Sequence, residues 1–201
     1  ATCAGASDGN ANAVGGGGAV FTLKNTGQAL GGDGPGTQSF ELADLNGDGA
    51  VDIFGAFDNN GAFGNPEKVW LNNGDGTFPV APAYTYDNIP SLEVAIGNVT
   101  GTAAPDAVLG SWSQIVVLSG NGDGTFTESA VIASPAGVLH SGIVSQSWNV
   151  IKLFDLDGDG DLDLLAGSTG YQRLTVYKND PFGTFTLSDD ITGIPIADIE
   201  V

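Results

Sequence analysis

The sequence predicts an all-β repeat protein made of short strands and tight turns. Three observations predict it. An acidic nine-residue stretch occurs twice, with a neutral stretch of the same length between. The three stretches start at Asp44, Asn98 and Asp155, spacings of 54 and 57 residues. Short apolar runs flank each of them, and no segment shows a helical period. Each unit then reaches a glycine-rich turn that ends in Thr-Phe: Asn73 to Phe78, Asn121 to Phe126 and Asn179 to Phe185. Asn-Gly and Asp-Gly are strong hairpin signals because both tolerate the left-handed turn conformation. A repeat of about 40–60 residues with several strands per unit suits a four-stranded propeller blade.

The elements follow in chain order. Ala1 to Gly18 is small and polar, and Val20 to Leu30 reads as a strand, a turn and the start of another strand. The first full unit opens with Phe40-Glu41-Leu42, passes its loop at Asp44–Asp52, and continues through Ile53–Phe57. An excursion through Gly64-Asn65-Pro66 leads to Lys68-Val69-Trp70-Leu71 and the first Thr-Phe turn. The middle unit opens near Leu92, with strands predicted at Ala107–Gly110 and Ile115–Leu118. The last full unit runs from Trp148 through Val150–Phe154, Leu164–Gly167 and Leu174–Tyr177. Ile196 to Val201 alternates like the opening strand of one more unit. The organisation expected is a single domain over 1–201. It holds repeats at about 40–90, 92–146 and 148–194 and half-repeats at 1–39 and 195–201, whose strands belong to one split blade.

The acidic stretches carry the chemistry. Asp155 to Asp163 places five carboxylates in nine residues. Unit charges about 4 Å apart repel by about 1 kcal/mol even in water, so such density calls for a cation. Calcium suits it, because it takes 6–8 oxygen ligands in flexible geometry. Asp155, Asp157, Asp159 and Asp163 occupy loop positions one, three, five and nine, and Gly160 permits the sharp turn. Asp44, Asn46, Asp48 and Asp52 repeat the set. The seventh residues, Ala50 and Asp161, offer backbone carbonyls. Two calcium sites are expected. Neither is an EF-hand, since the twelfth residues are Gly55 and Ala166 and strands flank both loops. The middle loop has Asn98, Thr100 and Thr102 at positions one, three and five and Ala103 at position six, so it reads as metal-free and held by side-chain to backbone hydrogen bonds.

Composition narrows the function classes. The net charge of −19, with five lysines and arginines, argues against nucleic acid and against anionic membrane surfaces. Hydrophobic residues make up 41%, which is enough for a packed core and too much for a disordered chain. No apolar run approaches the roughly 18 residues of a membrane span. Cys3 is the one cysteine, so no disulfide forms within the chain. His140 is the one histidine and reads as a surface residue. With no nucleophile–base pair and the acidic clusters committed to metal geometry, an enzyme is not expected. The start, Ala1-Thr2-Cys3-Ala4, reads as a processed or cut end.

An apolar strand, then D-x-[DN]-x-D-G-x-x-D, then a Phe-Gly or Ala-Gly dipeptide, then N-G-D-G-T-F, resembles the FG-GAP/VCBS repeats. These form the calcium-binding propellers of integrin α-chain heads and of some fungal lectins. The resemblance covers roughly residues 20–201. It implies a β-propeller, or a propeller segment, of three full repeats plus a split one, with one calcium per intact loop. Family propellers usually have seven blades, more than this chain holds. The implied function is a secreted or cell-surface module that binds a glycan or an extracellular protein. The alternatives are a structural subunit joined to its neighbours through the split blade, and an accessory module of a carbohydrate-active enzyme. Trp112 and Tyr171 follow glycine-containing strand ends and are the candidate ligand contacts, whereas Trp70 reads as packing. Asn98-Val99-Thr100 is the one N-glycosylation sequon.

Overall fold

The computed structural model describes residues 11–14, 20–23, 37–57, 66–112, 114–133, 148–168, 170 and 172–199. Three four-stranded antiparallel sheets account for most of them, and no helix occurs among the described residues. The first comprises β3 (Thr37–Ala43), β4 (Asp52–Phe57), β5 (Glu67–Trp70) and β6 (Tyr84–Tyr86). The second comprises β7 (Ser91–Gly97), β8 (Asp106–Ser111), β9 (Gln114–Gly120) and β10 (Phe126–Ala133). The third comprises β11 (Val150–Phe154), β12 (Asp163–Ser168), β13 (Arg173–Lys178) and β14 (Thr186–Thr192). Each strand pairs with its neighbour in sequence, so each sheet is a meander, the topology that short turns between antiparallel strands produce. We refer to the sheets as blades.

A fourth, two-stranded sheet pairs β1 (Ala11–Val14) with β2 (Val20–Leu23). The sequence reading found β2 and missed β1, because the run Ala-Asn-Ala-Val has little β-branched or aromatic content. Residues 196–199 of the predicted opening strand Ile196–Val201 contain no strand. Cys3, Gly64, Asn65, His140, Tyr171, Glu200 and Val201 lie outside the described residues, as does Lys24–Leu30 of the predicted Val20–Leu30 segment.

The core lies between blades as well as within them. Phe54, Val69 and Tyr86 of the first blade pack in one cluster with Val94, Leu109, Val116 and Phe126 of the second. Val108, Ile115 and Val117 of the second pack with Trp148, Ile151, Leu164 and Tyr177 of the third. The blades follow one another in a fixed direction, and the seam admits only small residues at one point. A Cβ on Gly110 of β8 would lie 2.8 Å from Ile151 Cγ1 of the next blade. A Cβ on Gly167 of β12 would lie 2.5 Å from Ile196 Cγ2. Ile196 therefore rests on the third blade as Ile151 rests on the second.

The acidic loops join the first strand of a blade to the second, and the Thr-Phe turns join the third to the fourth. Antiparallel order places both kinds of connection at the same end of every sheet. The described loops thus gather along one rim of the blade stack. The first and middle loops also meet the turn of the following blade. Gly124 N–H donates to the Leu45 carbonyl at 3.2 Å, and Asn179 Nδ2 donates to the Val99 carbonyl at 2.8 Å.

Candidate functional site: the acidic rim

One hydrogen-bonding scaffold shapes all three loops. The first-position side chain accepts from the backbone N–H three residues on: Gly47 to Asp44 at 2.7 Å, Gly101 to Asn98 at 3.1 Å and Gly158 to Asp155 at 2.7 Å. That reach requires a short acceptor, which is why Asp or Asn begins each loop. In the acidic loops the fourth and sixth residues are glycines at positive φ, +78° and +85° in the first and +80° and +100° in the third, a conformation side chains disfavour.

The ninth-position aspartate does a separate job. Asp52, Asp106 and Asp163 are each fully buried. One oxygen accepts from the second loop residue, the N–H of Leu45, Val99 or Leu156, at 2.8–2.9 Å. The other accepts from a residue at or just past the end of the third strand: Asn72 at 2.8 Å, Gly120 at 2.9 Å and Asn179 at 2.9 Å. These carboxylates pin the loop to the sheet, and in the middle loop Asp106 Oδ2 also accepts from Thr100 N–H at 2.8 Å. Burial pushes the Asp52 carboxyl upward, against its backbone donors.

Positions three and five separate the loops. In the third blade Asp155, Asp157 and Asp159 converge, each offering an oxygen within 4.8 Å of the others. Asp159 also accepts from Asp161 N–H at 3.0 Å. Asp161 is held above the usual carboxylate range by partial desolvation, then by the surrounding carboxylates. In the first blade Asp48 accepts from Ala50 N–H at 2.7 Å, the main cause of its lowered pKa, and from Asn46 Nδ2 at 2.9 Å. In the middle loop Thr100 Oγ1 donates to Asp106 at 3.0 Å and lies 3.5 Å from Thr102 Oγ1, so no charge stands at either position. The donor set of both acidic loops is all oxygen, the hard ligand type that calcium selects. The Ala50 and Asp161 carbonyls lie in the same loops as those donors.

The remaining expected residues are spread out. Trp112 follows the end of β8, at the rim opposite the loops, and is half-buried. Trp70 is buried and stacks edge-on against Phe57, with ring centroids 6.1 Å apart. Asn98 is exposed, but its Nδ2 donates to the Thr102 carbonyl, so the sequon amide is part of the loop scaffold. Between the loops of the first and second blades runs a groove of about 540 Å³. Asp44, Leu45 and Gly47 line one side, and Thr102 to Pro105 with Gly120 to Gly122 line the other.

Sequence reasoning missed two charged residues. Lys178, the last residue of β13, places Nζ 2.9 Å from Asp157 Oδ2, and this contact is the main cause of Asp157's lowered pKa. Its signal was available in the repeat register, where Leu71 and Ser119 take the same place. Glu67, at the start of β5, is fully buried at the seam with the second blade. Its Oε1 accepts from Ser91 N–H at 2.9 Å, with the Ser91 side chain beside it. Burial, with Asp87 nearby, pushes the Glu67 carboxyl up to about 8.

Comparison with known proteins agrees with the repeat. Residues 98–166 match the profile of the FG-GAP-like repeat, a span that runs from the first residue of the middle loop into β12. None of the curated protein sequences matches this chain. Among solved structures, the chain is similar to a lectin from Agrocybe aegerita described for specific recognition of non-reducing terminal N-acetylglucosamine. The identity is 28% and the TM-score 0.49, over 77% of this chain and 38% of the lectin. It is also similar to the Photorhabdus luminescens Tc holotoxin pore. There the identity is 22% and the TM-score 0.43, over 78% of this chain and 7% of that one. The chain thus spans well under two thirds of either.

Proposed function

We propose that this chain is a calcium-stabilised propeller module of the extracellular space that presents its loop rim to a glycan or an extracellular protein. The observation that carries the reading is the convergence of Asp155, Asp157 and Asp159 oxygens within 4.8 Å in a loop that occurs a second time at Asp44–Asp52. Three carboxylates at that separation repel one another unless a cation lies between them. Calcium fits the oxygen donors. Bound there, it would cross-link the two strands that leave each loop and stiffen the rim. Asp155, Asp157, Asp159, the Asp161 carbonyl and Asp163 would hold it in the third blade. Asp44, Asn46, Asp48, the Ala50 carbonyl and Asp52 would hold it in the first. Millimolar calcium is an extracellular condition, which supports that location.

The ligand is assigned to the groove beside the first loop. Its volume of about 540 Å³ falls within the ~300–1,000 Å³ of small-ligand clefts. Small residues line much of it, and Asp44, Thr102 and Asn121 offer the polar groups that sugar hydroxyls use. Glycan-array screening in calcium and in EDTA tests the reading. Binding that requires calcium and is lost in Asn121→Ala and Thr102→Ala is expected. An array without signal, together with no calcium uptake by calorimetry, refutes it.

A second reading, a subunit of an extracellular assembly, is favoured by one observation. Phe40 and Leu42 of β3 hold the repeat positions that Val94 and Ile96, or Ile151 and Leu153, hold in the next blades. They are 61% and 53% exposed, whereas Val94 and Ile151 are buried. Mass measurement in solution separates the readings: a monomer supports the binding module and an open-ended series supports assembly.

A further inference from the structure

The loop of the third blade has a positive charge of its own. Lys178 Nζ donates to Asp157 Oδ2 at 2.9 Å, and the repeat defines where that lysine stands. In each blade a residue at or just past the end of the third strand donates its N–H to the ninth-position aspartate: Asn72, Gly120 and Asn179. The residue before it is Leu71, Ser119 or Lys178. In two blades this side chain meets the third loop position. Ser119 Oγ lies 3.1 Å from Thr100 Oγ1, and Lys178 Nζ meets Asp157. A hydroxyl thus faces a hydroxyl beside the neutral loop, and an ammonium faces a carboxylate beside the loop with five acids. The first-blade counterpart, Leu71, is aliphatic, and the third position there is the neutral amide of Asn46.

We propose that Lys178 is a tethered stand-in cation for loop 155–163, held on Asp157 in the metal-free protein and displaced when calcium enters. The inference rests on the reading of the loops as calcium sites and concerns this chain's own means of setting their affinity. Asp157 cannot give the same oxygen fully to both partners. Lys178 is half exposed on a flexible four-carbon stem, so its ammonium can leave for water without disturbing β13. Two consequences follow. The ammonium offsets repulsion among Asp155, Asp157 and Asp159 while the loop is empty. It also weakens calcium binding at this loop relative to what the five acids alone would give. In the first loop the aliphatic Leu71 takes the place of Lys178, and Asn46 Nδ2 holds Asp48.

Titration calorimetry on the full chain in an Asp48→Ala background, which leaves the third loop as the one intact site, tests the inference. Lys178→Leu introduces the residue found in the first blade. It is expected to tighten calcium binding at the remaining site roughly two- to fivefold, the worth of an exposed ion pair. It is also expected to lower the melting temperature in EDTA. Lys178→Arg, which keeps a cation in place, is expected to bind as the parent does. The tightening should shrink as salt screens the pair. Calcium affinity unchanged or weakened in Lys178→Leu overturns the inference while leaving the calcium reading standing. No calcium heat in the Asp48→Ala parent overturns both. Far-UV circular dichroism establishes that each variant keeps its sheet content.

Discussion

The loops at 98–106 and 155–163 have nearly the same skeleton and opposite chemistry. In both, the first side chain takes the fourth residue's N–H, and a buried ninth aspartate ties the second residue to the end of the third strand. Where they differ, Thr100 and Thr102 stand in place of Asp157 and Asp159. The middle loop therefore makes the first- and ninth-position bonds without those acids, although Ala103 at position six lacks the positive φ of Gly160. Those shared bonds do not need the charges at positions three and five, which is the physical reason to propose a cation for them. The aspartates fall into two kinds: the ninth is bonded to the backbone in every loop, whereas those at positions three and five occur in the acidic loops alone.

The largest expected effect tests the architectural half of that comparison. Asp106→Ala and Asp163→Ala each remove a buried acceptor that serves N–H groups from two separate segments. Stranded buried donors cost about 1–3 kcal/mol each, so a loss of about 4 kcal/mol is expected in either blade. Urea unfolding should show the Asp106→Ala loss to be the same in calcium and in EDTA. A loss much smaller than at Asp163 would mean that the middle loop is held in another way.

The seams offer a second contrast. Glu67 occupies the register place of Ile115 and Leu174, so the first seam buries a carboxyl where the second buries an aliphatic chain against Trp148. With its pKa pushed from 4.5 to about 8, folded Glu67 keeps its proton while the unfolded chain loses it. The unfolded state then binds fewer protons between those values, so stability falls as pH rises from about 4.5 to about 8 and is level outside that window. A full shift would remove about 1.4 kcal/mol per pH unit, so a loss of up to about 5 kcal/mol is expected across the window. Glu67→Gln should flatten this slope, and Glu67→Ile should raise stability at pH 8. Denaturant midpoints at pH 5, 6.5 and 8 measure it, and parallel slopes for parent and variant would contradict a buried neutral acid.

Calcium itself is the next step down. At free calcium 100 times the dissociation constant, each site contributes about 2.7 kcal/mol, so EDTA should lower the melting temperature distinctly. Asp48→Ala and Asp157→Ala should each remove one calcium equivalent by calorimetry, and Thr100→Ala none. A lost equivalent in Thr100→Ala would erase the distinction between the loops.

Much of this was legible in the sequence, for a physical reason. Strands with period-two patterning and turns that need glycine leave local signals, so the blade strands and the Thr-Phe turns could be read in order. The acidic cluster could be read too, since Asp155, Asp157 and Asp159 lie within five residues. What local reading cannot see is contact between elements distant in sequence. Lys178 lies 21 residues from Asp157, and Glu67 meets Ser91 across a seam. The double role of the ninth aspartate was hidden likewise, because its partners at Asn72, Gly120 and Asn179 lie 14 to 20 residues away. The missed strand β1 is the converse case: its residues carry weak propensity, and only pairing with Val20–Leu23 makes it a strand.

The smallest expected effect sharpens the seam comparison. Leu45 and Val99, at the second loop position, are 2% and 1% exposed because the next blade covers them, whereas Leu156 is 41% exposed. The third blade is thus less covered on its trailing side than the first two. Yet Ile196 sits on Gly167 as Ile151 sits on Gly110, so residues 194–199 provide the first contact of a following blade without its strand. Ile151 is buried and Ile196 only half-buried. Truncating a buried isoleucine to alanine costs about 2–5 kcal/mol, and a half-exposed one with room to relax should cost about 1 kcal/mol. Ile151→Ala is therefore expected to destabilise the fold by about 3 kcal/mol and Ile196→Ala by about 1 kcal/mol, both read from urea midpoints. Equal losses would mean that Ile196 is covered in solution as fully as Ile151, by a strand added from the rest of the chain or from a second copy, and the concentration dependence of the midpoint would tell which. No loss at Ile196 would make residues 194–199 a loose strap and leave the trailing face of β12 open.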